Sequence, residues 1–169
     1  MHTHTDQALM VRNRPVDEIA VGDSACVTRT LTQDDLVVFA AVSGDINPQH
    51  LDAEFAERTR FHGIIAHGMW GGALISAVLG THLPGPGTVY LGQTLRFVAP
   101  VRVGDTLTVS VTVVTCEANR KLLTLACSCT NQDGVDVIVG EATVLAPSER
   151  IERRAIALPT VHELLRGVK

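Results

Sequence analysis

Residues 64–83 (IIAHGMWGGALISAVLGTHL) contain no Asp, Glu, Lys or Arg. His67, His82 and four glycines interrupt the run, whereas a membrane-spanning helix needs about 20 strongly apolar residues. We therefore predict a buried helix over about 67–82 and no membrane span. A helix that is apolar on every side must be enclosed by other elements. This requirement constrains the fold more than any other feature of the sequence.

After the turn at 84–87 (PGPG) the hydrophobic period changes to two. Segments at about 89–97, 107–113 and 123–130 alternate apolar with small or polar residues, as strands with one buried face do. Another strand is predicted at about 135–145, after the hairpin signal Asp133-Gly134. A further strand is predicted at about 25–31. Short turns join the later segments, so we expect consecutive strands to be antiparallel neighbours. Wrapping this sheet around the apolar helix buries both surfaces, which gives an α+β fold.

Two shorter helices are predicted between the first strand and the apolar helix. Thr32 followed by Asp35 is a capping-box pattern, and the helix that it starts should end at Ser43-Gly44. The segment 51–61 is predicted to be a second helix, with Asp52 as its cap.

The chain of 169 residues, 46% of them hydrophobic, suits a single domain. We assign residues 1–15 to a flexible N-terminal segment, 16–146 to the domain, and 147–169 to a charged tail with a short terminal helix. No apolar run typical of a secretory signal is visible at the start, so we expect a cytoplasmic protein. The net charge of −4, without a basic patch, argues against a nucleic-acid partner.

Metal or disulfide sites are not expected either. The four cysteines form no C-x-x-C motif, and we interpret them as reduced packing residues. His62 and His67 are five residues apart, a poor spacing for two ligands on one helix face. No carboxylate ligand for them is evident from the sequence.

The segment 43–50 (SGDINPQH) is the densest polar cluster. Asp45 and His50 lie five residues apart across a turn that contains Pro48, so their side chains can converge. A carboxylate and an imidazole together can perform general acid–base catalysis near neutral pH. The alternative is an ordinary loop whose polar side chains make only turn hydrogen bonds.

His67 and Gly68 stand at the predicted start of the apolar helix. The first N–H groups of a helix have no internal partner, and the helix dipole adds positive potential there. Because Gly68 has no side chain, a substrate carbonyl oxygen can approach the backbone closely. The alternative is close helix packing, with His67 in a structural role.

These segments together resemble the MaoC-like (R)-specific enoyl-CoA hydratases over about Leu31 to Ala146. The resemblance rests on Asp-x-Asn-Pro-x-His-x-Asp in SGDINPQHLD and on His-Gly-Met about 17 residues after its His. Tyr-Leu-Gly-Gln and Pro-Val-x-Val-Gly-Asp follow. The resemblance implies the hot-dog fold, a curved antiparallel sheet wrapped around a long central helix. It also implies a homodimer, or a higher homo-oligomer, with active sites near the subunit interface.

The resemblance implies residue roles as well. Asp45 and His50 would hold a water molecule against a trans-2-enoyl thioester, and the Gly68 amide would hold the thioester oxygen. Which of Asp45 and His50 acts as the base stays open. The acyl-CoA is then the substrate, and no metal or other cofactor is expected. Ser76 would shape the site together with His67, and Asn47 would fix the loop.

Three alternatives remain open. A dehydratase acting on (3R)-hydroxyacyl groups carried by acyl-carrier protein would use the same residues in reverse. A hot-dog thioesterase would lack the Asp-x-Asn-Pro-x-His loop, and a non-catalytic acyl-thioester-binding subunit would be expected to lose Asp45 or His50.

The sequence departs from the family at Trp70-Gly71-Gly72, where the resemblance leads us to expect bulkier aliphatic residues. This departure predicts altered packing or an altered acyl pocket.

Overall fold

The elements that the sequence predicts are present in the predicted order, with the long apolar helix in the middle, and short elements are added between and around them. The computed structural model describes residues 10–166, so the prediction of flexibility at residues 1–9 lies outside the described residues. The helices are α1 Gln33–Ser43, α2 Pro48–Leu51, α3 Ala53–Glu57, α4 Gly68–Thr81 and α5 Val161–Arg166. The strands are β1 Met10–Arg12, β2 Ser24–Thr30, β3 Val89–Phe97, β4 Thr106–Glu117, β5 Leu122–Thr130, β6 Asp136–Leu145 and β7 Glu152–Arg154.

Helix α4 packs against one antiparallel sheet of five strands in the order β2-β4-β5-β6-β3. Ile75, Val78 and Leu79 of the helix are almost completely buried. Met69, Ala73 and Ala77 are exposed, so the expected enclosure of the helix on every side is not found in the part of the chain that the structure describes. The three buried residues meet the inward-facing residues of the strands, among them Val111 and Leu125. The α+β class predicted from the sequence is therefore confirmed. Among residues 10–166 no helix has both the length and the apolar character needed to cross a membrane.

The expected neighbour relation of the strands is right for β4–β5 and β5–β6 but wrong for β3–β4. Strand β3 pairs with β6, at the far edge of the sheet. The connection 98–105 passes the start of α4, where Ala66 N–H donates to the Val101 carbonyl at 2.8 Å. It then reaches the end of β2, where Leu31 N–H donates to the Asp105 carbonyl at 2.9 Å. This connection is long enough to carry the chain away from β3, and β4 therefore forms beside β2.

The capping box predicted at the start of α1 is confirmed. Thr32 Oγ1 accepts a hydrogen bond from Asp35 N–H at 3.1 Å, and the Asp35 carboxylate accepts one from Thr32 N–H at 2.8 Å. Asp35 also forms an ion pair with Arg29 at 2.6 Å. Burial alone would raise the pKa of Asp35, but the hydrogen bonds from Thr32 and the Arg29 charge outweigh it, and the pKa is lowered.

We expect Asp35→Asn to reduce the free energy of unfolding by about 1–2 kcal/mol at pH 7, because a charge-assisted hydrogen bond is lost. The pKa of Asp35 in the folded state lies below its ordinary value of 3.8. Its contribution is therefore complete above that value and disappears as the pH falls through the folded pKa. Urea unfolding of both proteins between pH 7 and the most acidic pH at which they still fold measures this. If the difference in unfolding free energy between the wild type and Asp35→Asn stayed constant over that pH range, the stabilising role of the Asp35 carboxylate would be contradicted.

The second predicted helix, 51–61, is shorter than expected and is preceded by a separate helical turn. Asp52 caps α3 as predicted, accepting from Phe55 N–H at 3.0 Å. The turn α2 covers the last three residues of the predicted loop and the first residue of the predicted helix, and Asn47 caps it by accepting from Gln49 N–H at 3.1 Å. Pro48 occupies its first position, where the missing N–H is not needed.

The two ends of the described chain meet. Strand β1, within the segment 1–15 assigned as flexible, pairs antiparallel with β7 of the predicted tail. A three-residue strand has no readable periodicity, and its paired residues lie 140 to 144 positions away, so the pairing leaves no local signal. The short terminal helix is present as α5, and His162 Nδ1 lies 3.0 Å from the Asp34 carboxylate of α1. The division at 16 and 146 stays a prediction.

Candidate active site

The polar loop after α1 begins where Gly44 takes a left-handed conformation with φ of 77° and ends the helix. Asp45 N–H donates to Ser43 Oγ at 3.2 Å, and Asn47 N–H donates to Asp45 Oδ1 at 3.2 Å. The loop residues thus make the turn hydrogen bonds of the simpler interpretation. The same bonds hold the Asp45 carboxylate in one orientation, so they are compatible with a catalytic role too.

His50 is buried on α2, with 8% of its surface exposed. Its Nδ1 lies 2.8 Å from the Ile65 carbonyl oxygen. A carbonyl oxygen only accepts, so Nδ1 carries a hydrogen and donates it. In the neutral ring the lone pair is then on Nε2, which is the nitrogen left for proton exchange.

His67 lies next to both of these residues, although it is distant in sequence. Its Nε2 is 3.0 Å from the main-chain carbonyl oxygen of Asp45, and its ring centroid is 4.0 Å from that of His50. Phe39 of α1 contacts its ring as well, at 5.1 Å between centroids. The fold therefore brings together Asp45, His50 and His67 from the loop, α2 and the start of α4.

A cavity of about 430 Å³ opens at this cluster. Its lining comprises Asp45, His50, Arg60, Phe61, Ile65, Ala66, His67, Gly68, Met69, Phe97, Val98, Ala99 and Pro100. The start of α4 thus faces the same space as Asp45 and His50. A Cβ on Gly68 would lie 2.9 Å from the Phe97 ring. The absence of a side chain at this position therefore keeps the backbone and the ring in contact.

Ser76 and Asn47 take other places. Ser76 lines a neighbouring cavity of about 320 Å³ with Gly72 and Tyr90, and Met69 lines both cavities. Burial, with a smaller effect of Cys127, raises the pKa of Tyr90 to about 12, so its phenol stays protonated at neutral pH. Asn47 acts within the loop, as the cap of α2.

The unusual Trp70-Gly71-Gly72 sequence has both a packing and a cavity consequence. A Cβ on Gly71 would lie 2.3 Å from Ile138 Cδ1, so the glycine lets β6 approach the helix. A Cβ on Gly72 would lie 3.1 Å from Leu95 Cδ1, at the neighbouring cavity.

Sequence reasoning missed three contributors to the site. Gln49 is buried and donates from Nε2 to the Gly63 carbonyl at 3.0 Å, which ties α2 to the segment before α4. Phe39 supports the His67 ring, and Ile65 supplies the carbonyl that orients His50. Gln49 lies inside the Asp-x-Asn-Pro-x-His motif, so the sequence offered a signal for it. The other two act through tertiary contacts that no spacing reveals.

The structure also changes one premise of the prediction that no metal binds. Potential ligand atoms of Asp45, His50 and His67 all lie within 4.8 Å of one another, so a carboxylate is close to a histidine pair after all. Two of the four imidazole nitrogens, His50 Nδ1 and His67 Nε2, already face carbonyl oxygens. The prediction of a metal-free site stays a prediction.

A family model described as "MaoC like domain" matches residues 21–131, which include the whole cluster. The chain belongs to the MaoC-like family. The MaoC-like chain is 46% identical to an (R)-specific enoyl-CoA hydratase of Rhodospirillum rubrum, over 78% of this chain and 91% of that protein. It is 47% identical to a 3-hydroxybutyryl-CoA dehydratase of Methylorubrum extorquens, over 79% of this chain and 84% of that protein.

A solved structure, the unliganded R-hydratase PhaJ1 of Pseudomonas aeruginosa, superimposes on this chain with a TM-score of 0.85 and 47% identity. The match covers 90% of the MaoC-like chain and 97% of PhaJ1. With the five-stranded sheet packed on α4, this confirms the hot-dog fold.

Proposed function

We propose that this MaoC-like protein is an (R)-specific enoyl-CoA hydratase, a hydro-lyase that reversibly adds water to trans-2-enoyl-CoA and gives (3R)-hydroxyacyl-CoA. The observation that carries the proposal is the convergence of Asp45, His50 and the start of α4 on one cavity. The two relatives named above, both named for CoA thioesters, support the substrate class.

In the proposed reaction the thioester oxygen accepts a hydrogen bond from Gly68 N–H, where the helix dipole favours negative charge. This polarises the conjugated system and makes C3 electrophilic. The oxygen of water forms a bond to C3 while Asp45 takes one of its protons. His50, protonated at Nε2, delivers a proton to C2, and the proton on Asp45 then returns to His50.

The opposite assignment, with neutral His50 as the base at Nε2 and a protonated Asp45 as the acid, uses the same two groups. The Nδ1 contact to Ile65 suits both assignments, since it leaves Nε2 for the substrate. Either way the reaction adds the elements of water and transfers no electrons, so its stoichiometry requires no redox cofactor.

The test is the ultraviolet absorbance of the conjugated enoyl thioester, measured with crotonyl-CoA and with crotonyl-acyl-carrier protein. We expect loss of absorbance with the CoA substrate and formation of the 3R product on a chiral column. Faster conversion of the carrier-protein substrate would favour the dehydratase alternative. Absence of conversion with both, and with longer and branched acyl groups, would overturn the enzymatic proposal in favour of an acyl-thioester-binding subunit.

We further propose that the protein is a homodimer joined through β3. This strand is an edge of the sheet, and its exposed residues include Val89, Leu91 and Phe97, each about half exposed. The other edge strand, β2, instead exposes polar residues such as Thr28 and Arg29. An apolar, unpaired edge strand is a surface that a second copy can cover by pairing with it about a two-fold axis.

Leu91→Glu is expected to convert the dimer to a monomer, because it places two carboxylates at the proposed two-fold contact. Light scattering after size exclusion should give twice 18.1 kDa for the wild type and 18.1 kDa for the variant. Thr28→Glu makes the same type of change on the β2 edge and is expected to remain dimeric. A wild-type mass of 18.1 kDa would refute the proposal.

A further inference from the structure

The buried imidazole of His67 makes one polar contact among the described residues. The side chain is 2% exposed, and its Nδ1 has no hydrogen-bond partner within residues 10–166. Its Nε2 lies 3.0 Å from the Asp45 carbonyl oxygen. Because this oxygen only accepts, Nε2 carries the hydrogen and donates it.

An apolar ring of similar size would fill the same space without leaving a buried nitrogen unsatisfied, which is unfavourable. What the histidine adds is the N–H aimed at Asp45. It thereby joins the loop after α1 to the residue that immediately precedes α4. Its ring also contacts that of His50, tilted by 34° and at 4.0 Å between centroids.

We infer that His67 is a positioning residue that holds the main chain of Asp45 in register with His50 and Gly68. The inference rests on the proposed hydratase function and extends it. Asp45 and His50 act on the C2 and C3 atoms, whereas Gly68 N–H holds the oxygen of the same thioester. His67 directly precedes Gly68 and bonds to Asp45, so it fixes the distance between the two halves of the site.

The kinetic test compares His67→Phe with His67→Gln in the crotonyl-CoA assay. Phenylalanine keeps a ring against His50 and removes the donor, and we expect kcat to fall about 100-fold, as a small misplacement of a catalytic group does. KM should change less than about threefold, since a side chain that is 2% exposed offers little surface to the substrate. Glutamine loses the ring but can place an N–H near the position of Nε2. The kcat of His67→Gln should therefore be at least about tenfold higher than that of His67→Phe.

His67→Asn is the matched control, because it carries the same amide on a side chain one methylene shorter. It cannot reach the Asp45 carbonyl as Gln does, so its kcat should resemble that of the Phe variant. His82→Gln, at the exposed end of α4, should match the wild type. Equal kcat values for the Gln and Asn variants, or a wild-type kcat for His67→Phe, would overturn the inference.

A second readout does not depend on activity. Amide hydrogen exchange over 43–50 should accelerate in the Phe and Asn variants and change least in the Gln variant, because the loop loses its tie to α4. Unchanged exchange in His67→Phe would refute the positioning role even in an active enzyme. Should the wild type hydrate no enoyl thioester, the proposed function fails, while the exchange pattern still decides whether His67 positions Asp45.

Discussion

Asp45→Asn is expected to lower kcat for the hydration of crotonyl-CoA by about 10²–10⁴-fold, the range typical for loss of a general acid–base group. The carboxamide has nearly the same shape as the carboxylate. Its Oδ1 can still accept the hydrogen bond from Asn47 N–H, so the loop should keep its conformation. What it loses is the capacity to take up a proton. Stopped-flow or steady-state absorbance kinetics measure the loss of turnover. The melting temperature, measured in parallel, shows whether the variant is still folded.

Asp52→Asn provides the matched control. Asp52 lies seven residues further along the same motif, but its carboxylate caps α3 by accepting from Phe55 N–H. Asparagine caps helices about as well as aspartate, so both activity and stability should remain near the wild type. His50→Ala should lower kcat by a similar factor to Asp45→Asn. If Asp45→Asn and His50→Ala turned over at the wild-type rate, as the Asp52→Asn control should, Asp45 and His50 would have no acid–base role.

Gly140→Ala should have the largest effect on stability. Gly140 lies in β6 opposite Leu95 of β3, and a Cβ there would lie 1.8 Å from the Thr94 carbonyl oxygen. A backbone atom at that distance cannot move aside while β3 stays paired. We expect a loss of more than about 4 kcal/mol in the free energy of unfolding, or failure to fold. Denaturant unfolding monitored by the single Trp70 measures it.

Gly92→Ala is the control on the facing strand. Gly92 also lies in the β3–β6 pair, but a Cβ there has no atom within 4 Å. Its stability should therefore stay close to that of the wild type. Equal stability of Gly140→Ala and Gly92→Ala would show that β3 and β6 do not approach as closely at Gly140 as the structure has them.

Local patterns predicted the individual elements well. The alternation of apolar residues indicated three strands of the main sheet and turn signals indicated the other two, while Thr32 with Asp35 indicated the start of α1. These signals depend on residues within one turn or one strand. The β1–β7 pair and the position of β3 beside β6 depend instead on contacts between distant segments. No short-range spacing carries that information.

The sequence predicts some residues of the candidate site but not the contacts between them. Asp45, His50 and Gly68 were nominated from the loop composition and from the helix start, because acid–base pairs and free helix N–H groups have residue requirements visible in a sequence. The contact of His67 with the Asp45 carbonyl was not visible, since a main-chain oxygen has no sequence signature. The placement of Ser76 in the neighbouring cavity was equally hidden.

The sequence by itself determined that an uncharged helix packs against an antiparallel sheet, because burial of the apolar faces of both elements is favourable in water. It also placed a carboxylate, an imidazole and a helix start in neighbouring segments of the chain. Only the tertiary structure decided that these groups meet in one cavity and that His67 links them. The physical reason is that packing of the loop, α2 and α4 around the cavity sets the distances among Asp45, His50 and the start of α4.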